Sequence, residues 1–149
     1  MPIATRCDVE HRRNNMKECY KAYEKALKLN PDNEGVLNNY AYFLSLENRD
    51  LERALKMVCR ALELSANNPT YLDTKAWVLY KLGRYAEAKK VMQQALSFDR
   101  SQGYEYALYY GDILYALGEE FMAKVYWRKA LERGADKDEI TRRFEKCNK

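Results

Sequence analysis

The stretch YLDTKAWVLYKLGRYAEAKKVMQQALSFDRS, residues 71–101, decides the fold. Small and apolar residues recur in it at helical intervals on both sides of one glycine: Leu72, Ala76 and Leu79 precede Gly83, and Ala88, Met92 and Ala95 follow it. Such intervals set each group on one face of a helix. Glycine takes the left-handed backbone that ends a helix and lets the chain reverse. The stretch therefore reads as a helical hairpin whose alanines let its two helices approach closely.

Working outward, the second half of this hairpin recurs through the chain. YKAYEKALKLNPDN from Tyr20, ALKMVCRALELSANN from Ala54, AKKVMQQALSFDRS from Ala88 and AKVYWRKALERGAD from Ala123 share one pattern. Their Ala-Leu pairs begin at Ala26, Ala61, Ala95 and Ala130, in steps of 35, 34 and 35 residues. One ladder runs Cys19, Ala54, Ala88, Ala123, and bulky Tyr23, Val58, Met92 and Trp127 follow it. The first helices carry a second ladder: Leu37, Tyr40, Ala41, Leu44; then Leu72, Lys75, Ala76, Leu79; then Ala107, Tyr110, Gly111, Leu114. Turns at Asn48, Gly83 and Gly118 join the helices of each pair. The clusters NPDN (30–33), SANNP (65–69) and DRSQG (99–103) join one pair to the next.

Composition agrees with helices throughout. Six glycines and three prolines in 149 residues leave too little turn punctuation for a many-stranded sheet. The net charge of +4 is interspersed rather than gathered in the dense block of a nucleic-acid binder, so no nucleic-acid partner is expected. No apolar run suffices to cross a bilayer, and residues 1–15 lack the apolar centre of a secretory signal, so no membrane insertion and a cytoplasmic default address are expected. Cys7, Cys19, Cys59 and Cys147 lack metal-binding spacing and read as thiols, in a reducing compartment; His11 cannot complete a zinc site. No phosphate-cradling glycine loop, nucleophile elbow or HExxH motif is present. The expectation is no enzyme, no catalytic residue, no metal and no cofactor.

The period and the residues Leu72, Ala76, Leu79, Gly83, Tyr85, Ala88, Met92 and Ala95 resemble the tetratricopeptide repeat family over residues 14–135. LNNYAYFLSLENRDLERA and YLDTKAWVLYKLGRYAEA look particularly like its bacterial members. Departures are local: Lys75 replaces an apolar residue, Arg100 stands where proline is usual, and an extra residue near 47–50 lengthens the first turn. The resemblance implies an all-α, right-handed superhelical solenoid of antiparallel helix pairs. As one domain over 1–149 it comprises a partial or degenerate repeat (1–33), with Arg6 and Glu10 where apolar residues belong, three repeats (34–68, 69–103, 104–135) and a capping helix (136–149). That last helix has Asp136 as its cap and Ile140, Phe144 and Cys147 as its apolar stripe, with Arg142, Arg143 and Lys146 facing water. The atypical start suggests a fragment of a longer array.

In this family a concave groove is lined by the first helix of each pair, opposite its packing ladder. The resemblance then implies a non-catalytic scaffold for protein–protein interaction, binding a peptide or partner segment through Asn38, Tyr42, Asp73, Trp77, Tyr80, Tyr109, Asp112 and Tyr115. Aromatic rings supply contact area and Asn or Asp can hydrogen-bond a peptide backbone. One subgroup clamps acidic C-terminal tails with groove cations. Its positions fall on Asn38, Tyr42, Thr74, Glu105 and Tyr109, none a cation, so that activity is not carried over. With Asp73, Glu105 and Asp112 nearby, a basic or neutral partner is expected. The rival reading is a structural or self-associating spacer, weakly homo-oligomeric through its terminal repeats.

Overall fold

The computed structural model describes residues 16–98 and 103–148. These contain eight helices: α1 (Lys17–Leu29), α2 (Glu34–Leu46), α3 (Leu51–Leu64), α4 (Pro69–Lys81), α5 (Tyr85–Phe98), α6 (Tyr104–Ala116), α7 (Glu120–Glu132) and α8 (Lys137–Lys146). No strand occurs among the described residues. The expectations placed on Arg6, Cys7, Glu10, His11 and Arg100 lie outside them. The described residues form two compact units, one up to Ala66 with α1–α3 and one from Asn67 with α4–α8.

Helices start and stop where local chemistry directs. Asn33, Asn68 and Asp136 accept hydrogen bonds from the backbone N–H groups of Val36, Tyr71 and Glu139, capping α2, α4 and α8. Pro69 begins α4, where its missing N–H costs nothing. Each hairpin turn holds a left-handed residue, Asn48 (φ 57°), Gly83 (φ 81°) or Gly118 (φ 83°). One bond recurs beside it: Arg49 N–H to Leu44 O, Arg84 N–H to Leu79 O and Glu119 N–H to Leu114 O, each 2.9 Å. The extra residue of the first turn is accommodated by a second left-handed position, Asp50 (φ 45°).

Both ladders are core, except for half-buried Lys75. Ala54, Val58 and Ala61 are fully buried in the first unit, as are Ala88, Met92, Ala95, Ala123 and Ala130 in the second. Within the units, α2 packs on α3, α4 on α5 and α6 on α7, and α8 closes against α7, where the Phe144 ring meets Trp127 edge-on and Ile140 is buried. Such contacts tolerate no added volume: Ala76→Leu and Ala88→Leu should each cost about 1–3 kcal/mol by overpacking. Calorimetry showing unchanged melting for both would count against this helix contact.

One cysteine departs from expectation. Cys19 is disulfide-bonded, while Cys59 and Cys147 are free. Spacing along the chain does not report which sulfurs meet in space.

The first unit also contains a polar cluster between helices. Tyr40 donates to Glu24 at 2.8 Å, Arg53 pairs with the same carboxylate at 2.6 Å, and the Arg53 guanidinium lies 5.2 Å from the Tyr40 ring centroid. The hydrogen bond from Arg53 holds the Glu24 carboxyl below its ordinary 4.5. A depressed carboxylate contributes stability above its unfolded pKa and loses it as pH falls through the folded value. Wild type should therefore lose more stability than Glu24→Gln between about pH 5 and about pH 3, measured by urea titration. Equal losses would show that the cluster is not linked to folding.

Candidate functional site

The second unit gathers most of the expected site. Trp77 is sandwiched on α4 and α6: its ring stacks on Tyr80 at 4.7 Å and 13° and on Tyr109 at 4.2 Å and 28°. Tyr80 and Trp77 are near neighbours one helical turn apart on α4. A cavity of about 330 Å3 opens beside this stack, lined by Trp77, Tyr80, Asp112 and Tyr115 together with Trp127 and residues of α8. Asp73 and Tyr109 are not among its walls. Asn38 and Tyr42 belong to the first unit, where Asn38 is buried and Tyr42 half-buried.

Burial separates these residues by role. Trp77 is only 8% exposed, and its indole N–H has no acceptor among the described residues. Tyr115, at 37%, presents its ring to solvent while lying 5.7 Å from Trp127. Tyr80 is half-buried; burial, and then the Asp112 charge, push its phenol pKa up, so it stays a neutral hydrogen-bonding group. The stack thus forms a rigid wall, and Tyr115 is its accessible edge.

Asp112 is engaged. Arg143, from α8, meets its two carboxylate oxygens at 2.7 and 3.0 Å, and the Trp127 indole N–H donates to it at 3.1 Å. Burial opposes the Arg143 charge, but the hydrogen bonds and charge of Asp112 outweigh it and leave the guanidinium pKa raised. Arg143 therefore does not face water, contrary to the expectation for it; its side chain is 21% exposed and turned into the cavity. Arg142 and Lys146 are exposed as expected, yet they line the same cavity. Lys81, at the end of α4, joins them, with its ammonium 5.3 Å from the Trp77 centroid.

The electrostatic expectation changes with this arrangement. Asp112, counted as a reason for a basic partner, is already compensated within the chain. The residues missed by the sequence reading are Lys81, Trp127, Glu139, Arg142, Arg143 and Lys146. The signal for Arg143 was its position directly beside Phe144, since side chains flanking an apolar stripe lie at the rim of the contact. A larger cavity of about 1010 Å3, lined by Met16, Tyr20, Glu24, Glu47 and Arg49 among others, flanks α1 of the first unit. It adjoins the start of the described residues and gathers none of the expected site. Among the described residues, no group of three His, Cys, Asp or Glu side chains could hold a metal ion, and no helix is long and apolar enough to cross a membrane.

Three consecutive tight hairpins with small-residue contacts and a closing helix define an all-α helical-repeat solenoid. The chain belongs to the tetratricopeptide repeat family, whose model matches residues 3–136. Among curated proteins it is similar to the TPR repeat-containing protein PA4667 of Pseudomonas aeruginosa, 28% identical over 110 residues. That match covers 74% of this chain and 18% of the relative, so the chain spans less than a fifth of its length. Among solved structures it is similar to Pseudomonas aeruginosa pilF, at 25% identity and a TM-score of 0.72, covering 93% of this chain and 62% of that one. It is also similar to YrrB, described as a TPR protein with an unusual peptide-binding site, at 28% identity and a TM-score of 0.67, covering 80% and 60%.

Proposed function

We propose that this chain is a non-catalytic interaction module that holds a segment of a partner protein against α4 and α6, in the cavity bordered by α8. The observation that carries this reading is the aromatic wall of Tyr80 and Trp77 with Tyr115 open beside it. A wall already ordered by stacking loses little entropy when a ligand lands on it. The similarity to YrrB, with its peptide-binding site, supports the same use of the fold. A stacking spacer has less support: α8 already covers the last hairpin through buried Ile140.

Panning a displayed random-peptide library on the whole chain tests the proposal. Tyr115→Ala should weaken the selected peptides by about 1–2 kcal/mol, as an interface aromatic does, while leaving the melting temperature nearly unchanged because that ring is exposed. Absence of any selected sequence, or selected peptides indifferent to Tyr115, would overturn it.

A further inference from the structure

We infer that the ligand of this site is an acidic peptide segment, whose carboxylates are taken by Lys81, Arg142 and Lys146 at the rim of the cavity. This rests on the interaction-module reading above and names the chemistry it would recognise. Six charged residues line the cavity: Lys81, Arg142, Arg143 and Lys146 against Asp112 and Glu139. The bidentate Arg143–Asp112 pair removes one of each sign. Glu139 then faces three cations, none of which forms an ion pair among the described residues. The surplus positive charge borders apolar ring faces of Tyr80 and Tyr115, which lower the local dielectric and strengthen a charge-assisted hydrogen bond. Arginine suits a carboxylate by its forked donors, and the two lysines add mobile point charges. These cations come from the end of α4 and from α8, not from the first-helix positions at which the family's acidic-tail clamp was sought, so their sum was invisible in that comparison.

The test uses the whole chain and fluorescein-labelled ten-residue peptides of alternating serine with glutamate, with glutamine or with lysine. At low ionic strength the glutamate peptide should bind about tenfold tighter than the glutamine peptide by anisotropy, and added salt should erode that margin. Arg142→Gln/Lys146→Gln should abolish the margin, and so should Lys81→Gln, which sits on a different helix; melting curves should stay unchanged. The control Lys56→Gln/Lys90→Gln removes the same net charge from exposed positions elsewhere and should preserve it. Equal loss in the control would overturn the assignment, because net charge alone would then explain binding. A glutamine or lysine peptide that binds best, with Tyr115→Ala still weakening it, would sink the acidic specificity and leave the groove reading standing. Indifference of all peptides to all variants would remove both. Tighter binding of single-stranded decathymidine than of the glutamate peptide, lost in the same variants, would overturn the peptide assignment.

Discussion

Trp127→Ala should destabilise the second unit by about 3–5 kcal/mol, the range for emptying a buried aromatic site. The indole is 1% exposed, lies 5.9 Å edge-on from Phe144 and 5.7 Å from Tyr115, and donates to Asp112. It therefore joins α6, α7 and α8, and its removal takes away both packing and a hydrogen bond. Its neighbour Gly111 explains how so large a ring fits there. A Cβ built on Gly111 would stand 2.4 Å from Trp127 Cδ1 and 2.5 Å from Nε1. Glycine to alanine within a helix ordinarily gains about 1 kcal/mol. Here Gly111→Ala should instead lose about 1–3 kcal/mol, because the ring must move. Denaturant titration of both variants and of Gly111→Ala/Trp127→Ala completes a cycle in which the double variant should be less damaged than the sum of the single changes. A neutral or stabilising Gly111→Ala would refute the notch.

Asp112→Ala should cost about 2–4 kcal/mol, since it leaves Arg143 and the Trp127 indole N–H without their acceptor in a place water reaches poorly. The side chains of Asp112 and Arg143 are 12% and 21% exposed, so solvent cannot fully replace the lost partner. Removing both charges with Asp112→Ala/Arg143→Met should restore much of the loss, because a buried pair and its apolar replacement are often similar in stability. Hydrogen exchange supplies a local readout: amides of α8 should exchange faster in Asp112→Ala than in the double variant, if this pair fastens the closing helix onto α6. Protection of α8 that is unchanged in both would show that Ile140 and Phe144 hold the helix without the pair.

The helical-repeat fold was legible from the chain because its determinants are local and periodic. The recurrence of Ala54, Ala88 and Ala123, each followed by a bulky residue and then by Ala61, Ala95 or Ala130, specifies a helix face irrespective of what packs on it. The glycines at 83 and 118 and the caps Asn33, Asn68 and Asp136 mark helix ends through bonds spanning only a few residues. The aromatic members Trp77, Tyr80 and Tyr115 were also legible, being on the flank of α4 and α6 opposite the ladder, and the structure brings them to one cavity.

What the sequence by itself determined, then, is the period, the hairpins, the buried ladder and the aromatic flank. Tertiary structure alone decided the charge of the cavity and the burial of its parts. Asp112 and Arg143 lie 31 residues apart, and no local periodicity couples them; their pairing depends on the angle at which α8 returns over α6. Trp77 was expected to line an open groove, from its place opposite the packing ladder, yet Tyr80 from its own helix and Tyr109 from α6 cover its two faces. Periodicity reports which side of a helix turns inward. It carries no information on what a later helix lays across the other side, and that is where this site acquires its cations.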